Sequence, residues 1–254
     1  MRLCIALAAL VLAANTAAGE PEPASCPAEA LGTARVLQVD AATTPRVGRK
    51  HFPQTLPLAP KEVVLTFDDG PLAGPTGRVL DALKRECARA SFFLLGRNVL
   101  ANPELARRVL REGHTAAHHT FSHRPLDRLP VAAAEAEIDR GFAAIDTALY
   151  GRSDREPRTP FFRFPGFASS AALLDRLEKR GIVVFGADLW ASDWNPMSPQ
   201  HQLAQLLARL EANRGGIVLL HDTKLQSAAM LPPFLRALKA RDYRLVHVVP
   251  VQSR

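Results

Sequence analysis

Long apolar stretches are nearly absent from this chain of 254 residues. One unbroken run, residues 3–14, approaches membrane length, and twelve residues are too few to span a bilayer. A polytopic membrane protein is thereby excluded. Strong net charge is absent too: 32 Lys and Arg against 25 Asp and Glu leave +7, and an apolar fraction of 47% rules out a mainly disordered chain. The 15 glycines and 20 prolines follow no three-residue period, so nothing collagen-like is present. No run of five basic residues occurs and aromatics are scarcely interleaved with the cations, which argues against nucleic acid as a partner.

Cysteine is scarce, and its placement goes with the N-terminus. Arg2, the run 3–14, the small residues Thr16, Ala17 and Ala18, and then Gly19-Glu20-Pro21-Glu22-Pro23 have the layout of a secretory leader cleaved near Ala18. The prolines would stop a buried helix, and Cys4 and Cys26 are badly placed for a lipid anchor. The expectation is an exported protein, periplasmic or secreted, with no stable insertion in a membrane. Loss of residues 1–18 removes one arginine and no acid, leaving +6, a surface suited to anionic polymers. Cys26 and Cys87 then remain, an even pair in an oxidising compartment. They form either one disulfide, closing a loop worth about 4 kcal/mol in the chain-entropy model, or two separate thiols.

Residues 19–58 carry many Pro, Ala and Thr without a sustained period and are expected to form an extended arm. From residue 59 to 254 one domain is expected. Strand patterns at 62–67, 91–95, 161–164, 182–187, 216–220 and 243–249, with a short stretch at 115–117, alternate with helix patterns at 77–89, 103–112, 131–149, 170–180, 200–212 and 231–241. Continuous apolar strands joined by helices imply a parallel sheet covered on both faces. The fold class expected is α/β, a distorted (β/α) barrel of about seven parallel strands.

Polar residues gather where these strands end, which is where parallel α/β folds place their chemistry. Asp68-Asp69-Gly70-Pro71 follows the first strand, His118-His119-Thr120-Phe121-Ser122-His123 the third, Arg163 the fourth, Asp188 to Trp194 the fifth, and His221-Asp222 the sixth. Two adjacent carboxylates repel unless one holds a proton or a cation intervenes. One Asp oxygen and the imidazoles of His119 and His123, four apart, would leave an open position of the catalytic zinc type. Taken singly, Asp-Asp-Gly is a turn signal, Asp193 suits a cap, and Trp190 and Trp194 suit a core. His118 is expected to be structural, because three neighbouring imidazoles cannot all face one ion. Five such features at successive strand ends point to one shared cleft.

The sequence resembles the polysaccharide deacetylases of carbohydrate esterase family four, which share the NodB homology domain. The resemblance rests on Thr66-Phe-Asp-Asp-Gly-Pro71, His119-Thr-Phe-Ser-His123, Phe162-Arg-Phe-Pro165, Asp193-Trp194 and Leu219-Leu-His221, and covers about residues 60–250. It implies Asp69, His119 and His123 as ligands of one divalent ion, zinc or otherwise cobalt or nickel. It implies Asp68 as general base oriented by Arg163, and His221 as general acid tuned by Asp193. Trp194 and Leu219 would wall the groove beside Pro165, with the oxyanion received at the Gly166 amide. Two departures fall on that wall: Arg163 is followed by Phe164-Pro165-Gly166-Phe167 instead of Pro-Pro-Tyr-Gly, and Trp190 stands where the fourth motif usually opens with Asp. The implied reaction is removal of N-acetyl groups from an N-acetylglucosamine-containing glycan of peptidoglycan or chitin type, by a monomer. Alternatives are an O-acetyl esterase on acetylated xylan, an amidohydrolase on a small non-sugar amide, and a glycan-binding protein without activity.

Overall fold

The structure, a computed structural model, describes residues 26–251. The expected leader therefore lies outside the described residues. No helix among those described is long and apolar enough to cross a membrane.

The elements in chain order are β1 (Arg35–Val39), β2 (Arg46–Val47), β3 (Glu62–Asp68), α1 (Pro75–Arg85), β4 (Ser91–Leu94), α2 (Gly96–Ala101), α3 (Pro103–Arg111), β5 (Thr115–His118), α4 (Val131–Tyr150), β6 (Phe161–Phe162), α5 (Ala171–Lys179), β7 (Val183–Phe185), β8 (Leu189–Trp190), α6 (Pro199–Asn213), β9 (Gly216–His221), α7 (Leu225–Ala240) and β10 (Arg244–Pro250). They build one ten-stranded sheet, and every ladder in it is parallel. From β3 the sheet runs through β4, β5, β6 and β7 to β2 on one side, and through β9 to β8 on the other. The sheet curls as the α/β expectation requires but does not close: no ladder joins β7 to β8. At the start of β3, β10 takes the place β4 holds at its end, and β1 pairs with β10.

Two strands lie where the sequence suggested only an extended arm. β1 pairs Arg35 with Val246 through Val39 with Pro250, and β2 pairs Arg46 and Val47 with Val184 and Phe185. Both are edge strands, held by their partners more than by any pattern of their own. The Cys26–Cys87 disulfide ties the start of this segment to the end of α1, with Cα atoms 6.0 Å apart. Of the two states open for these cysteines, the joined one is present.

The core strands are buried on both faces, and their side chains alternate between the two with period two, which decides what faces inward. Val63, Leu65 and Phe67 of β3 pack outward with Val79, Leu80 and Leu83 of α1 and Leu231, Phe234 and Leu235 of α7. Val64, Phe93, Ala117, Phe161, Val183, Phe185 and Ile217 fill the interior instead. Counting on by two from those interior residues gives Thr66 and Asp68, His119, Arg163, and Leu219 and His221. The same count turns His118 outward, where it meets the ring of Phe142 of α4 edge-on, centroids 4.7 Å apart. Helix α7 starts earlier than the sequence pattern suggested and runs through Pro232 and Pro233. Its buried face of Met230, Leu231, Phe234, Leu235 and Leu238 outweighs the hydrogen bonds the prolines remove.

Candidate metal centre and its flanks

Asp69 stands one residue past β3 with φ 77°, a left-handed turn that lets it follow Asp68 into the mouth of the barrel. Its backbone is pinned by Phe93 O, which accepts from Asp69 N–H at 3.2 Å, and by Asn98 of α2, whose side-chain amide donates to Asp69 O at 2.7 Å. Asn98 carries no motif signature and is absent from any sequence expectation. The loop after β5 brings His119 and His123 opposite. Glu137 of α4 holds that loop, accepting from the Ser122 N–H and hydroxyl at 2.5 and 2.6 Å, while Glu137 O accepts from Phe121 N–H at 3.2 Å.

Asp69 Oδ1 lies 3.6 Å from His119 Nε2 and 3.4 Å from His123 Nε2. One donor atom from each of the three lies within 4.8 Å of the others, the one such grouping among the described residues. Asp69 Oδ1 is also buried without a hydrogen-bond partner among the described residues, an arrangement that costs free energy unless a cation or proton meets it. His119 donates from Nδ1 to Arg163 O at 2.7 Å, which fixes the tautomer and leaves Nε2 with its lone pair toward Asp69. Burial, against the pull of Asp69, lowers the His119 pKa to about 3, so the ring is neutral as a ligand must be. Two imidazoles and one carboxylate of this kind fit a divalent ion with an open position.

Beside this cluster, Asp68 accepts from Arg163 Nη1 at 2.6 Å and its other oxygen lies 3.8 Å from His119 Nε2. Arg163 has no solvent exposure and spends its remaining donors on Thr66 Oγ1, Phe185 O and Gly186 O. Burial raises the Asp68 pKa and the Arg163 charge opposes that rise. On the far side, His221 Nδ1 lies 2.7 Å from Asp193 Oδ1, and the His221 N–H donates to Asp193 Oδ2 at 2.7 Å. Ser227 Oγ donates to the same oxygen at 2.6 Å, and the Gln226 side chain to Asp193 O at 2.8 Å. Burial alone would lower the His221 pKa; the Asp193 hydrogen bond and the charges of Asp193, Asp68 and Asp69 outweigh it and raise it to about 9.

These groups open on one cleft of about 390 Å³. Asp68, Asp69, His119, His123, Gly166, Trp194, Leu219 and His221 line it, whereas Arg163 and Asp193 stand buried behind Asp68 and His221. Pro165 is buried and does not line the cleft. Trp190 lines it and meets Trp194 edge-on at 5.9 Å, so neither tryptophan is simple core. Asp188, two residues from where the fourth motif usually begins, points away from the cleft and accepts from Arg49 N–H, Thr55 Oγ1 and Ile217 N–H at 2.7–2.8 Å. Phe164 and Phe167, from the departure expected on the groove wall, line the cleft, and so do Lys224 and His51, which were not anticipated. Lys224 lies three residues past His221 and could have been suspected; His51 sits in a segment with no pattern.

Comparison with known proteins gives a consistent picture. The profile of the family described as Polysaccharide deacetylase matches residues 56–185. The chain is 30% identical over 237 residues to the peptidoglycan-N-acetylglucosamine deacetylase PgdA of Listeria monocytogenes, covering 91% of this chain and 46% of that protein. It is 32% identical over 190 residues to a peptidoglycan-N-acetylglucosamine deacetylase of Bacillus cereus, covering 72% and 67%. Among solved structures, the peptidoglycan deacetylase Bd3279 of Bdellovibrio bacteriovorus superposes with a TM-score of 0.75 at 32% identity, over 86% of this chain and 59% of that one. The chain thus spans just under half of the Listeria protein and about three fifths of the Bdellovibrio one.

Proposed function

The chain belongs to the polysaccharide deacetylase family, and from that membership we propose that it hydrolyses N-acetyl groups on an N-acetylglucosamine-containing glycan of peptidoglycan or chitin type. The observation that carries this is one cleft holding Asp69, His119 and His123 together, with Asp68–Arg163 on one flank and His221–Asp193 on the other.

Asp69, His119 and His123 are proposed to hold one divalent ion, zinc because two borderline imidazole donors favour it over the hard cations that a carboxylate alone would suit. When bound, such an ion supplies positive charge that polarises an acetyl carbonyl and acidifies water at the open position. Asp68 is the general base: its carboxylate, held by Arg163, takes the proton from the attacking water. Gly166 offers its N–H to the oxygen of the tetrahedral carbon, where charge develops; a donor of this kind is typically worth ~3 kcal/mol. His221, kept protonated by Asp193, delivers a proton to the departing nitrogen, without which an amine leaves poorly. Water adds to the acetyl carbonyl carbon first, and the carbon–nitrogen bond then breaks as the nitrogen takes its proton, giving acetate and a free amino sugar. Trp194 and Leu219 wall the acetyl group.

Export follows from the leader pattern and agrees with the disulfide, since such bonds persist in oxidising compartments. The test is acetate release from peptidoglycan, chitin oligomers and acetylxylan by the zinc-reconstituted protein. Release from the first or second supports the proposal; release from acetylxylan alone, or from none, overturns it. Zinc titration of His119→Ala should show loss of high-affinity binding, and unchanged binding would sink the ligand set.

A further inference from the structure

The seam between β7 and β8 is filled by the segment that begins with β2. Gly48, at φ 112°, packs so tightly that a Cβ there would lie 2.5 Å from Ala187 N. Lys50 N–H donates to Ala187 O at 3.0 Å, while Arg49 N–H and Thr55 Oγ1 both donate to the buried Asp188. Residues 46–50 of an otherwise patternless arm are thus tied to the sheet, Thr55 adds a further tie, and His51 between them is delivered to the rim of the cleft.

There the His51 ring lies flat on Phe167, centroids 3.7 Å apart and planes at 23°. Phe167 and Gly166 are consecutive left-handed residues, φ 58° and 56°. A phenylalanine in that region is strained and persists only where its surroundings fix it. The turn has two backbone bonds of its own, Phe167 N–H to Phe164 O and Ala168 N–H to Pro165 O. The imidazole is the flat surface against which the Phe167 ring rests. Burial and the nearby Arg163 and Lys50 charges lower the His51 pKa, so the stacking ring is neutral.

We propose that His51 is a positioning residue: by stacking on Phe167 it holds the 164–168 turn and so aims the Gly166 amide into the cleft. The N-terminal segment then sets how the developing oxyanion is received, a task the barrel strands do not perform alone. The catalytic half of this inference rests on the deacetylase reading above; the clamping half does not.

The experiment compares wild type, His51→Ala and His51→Phe, each confirmed to bind zinc. Hydrogen exchange of residues 166–168 should quicken about tenfold or more in His51→Ala and return to the wild-type rate in His51→Phe, which keeps a flat ring. Acetate release should lose about tenfold or more in kcat with KM within about threefold in His51→Ala, since an oxyanion donor acts on the transition state, and should recover in His51→Phe. Unchanged exchange in His51→Ala overturns the clamp. Faster exchange with wild-type kcat overturns the link to the reaction, and so does failure of His51→Phe to restore kcat once exchange is restored. A wild-type protein that releases no acetate overturns the deacetylase reading and the catalytic half with it, while exchange still decides the clamp.

Discussion

Arg163 carries its charge with no solvent exposure, and Asp68 is its one carboxylate partner among the described residues. Removing one member of such a pair strands the other, at a cost of about 3–5 kcal/mol. Asp68→Asn should therefore lower the melting temperature as well as acetate release, the latter by about 10²–10⁴, as expected for loss of a general base. Zinc content should persist, because the proposed ligands are untouched; full turnover in this variant would refute the base assignment. His221 allows a sharper test. Its raised pKa, about 9, means that activity requiring the imidazolium is present at neutral pH and lost as pH climbs through that value. In Asp193→Asn the hydrogen bond and charge that raise it are gone, so the alkaline limb of the pH–rate profile should move down toward the ordinary histidine range near ~6.5. A limb that stays in place would deny Asp193 its proposed role. Asp68, Arg163 and His221 were visible in the sequence because each ends or follows an apolar strand, and Asp193 because it falls in a motif of the family the sequence resembles. Asn98 and Glu137 were not: they steer the site through backbone groups and carry no pattern of their own.

Helix α4 holds the two-histidine loop from behind. Gly141 approaches so near that a Cβ would lie 2.6 Å from the Thr120 carbonyl carbon. Gly141→Ala should push the loop or the helix aside, costing about 1–3 kcal/mol in stability and weakening zinc binding; calorimetric zinc affinity equal to wild type would show that the loop tolerates the shift. The core strands and their helices were legible because long apolar periods survive tertiary context. The short elements were not. β1, β2 and β8 borrow their conformation from neighbours in the sheet, and α7 overrides two prolines through the apolar face it buries. His51 escaped notice for the same reason, since its place depends on tertiary hydrogen bonds to Ala187 and Asp188.

At the scale of the molecule, the Cys26–Cys87 bond spans 61 residues and anchors the start of the described chain. Opening a loop of that length frees about 4 kcal/mol of denatured-state entropy in the chain model. Reduction, or Cys87→Ser, should lower the melting temperature by roughly 10 °C and leave kcat per folded molecule unchanged, as read by calorimetry and acetate release; an unmoved melting temperature would show that the reduced ensemble is already constrained. β1 and β10 lie far apart in sequence and yet form adjacent strands, with Arg35 beside Val246. Contacts of such sequence separation form late. The strand at 35–39 therefore stays unpaired along one edge until the strand at 244–250 is in place, and a variant lacking residues 244–250 would expose two unsatisfied edges and be prone to aggregate.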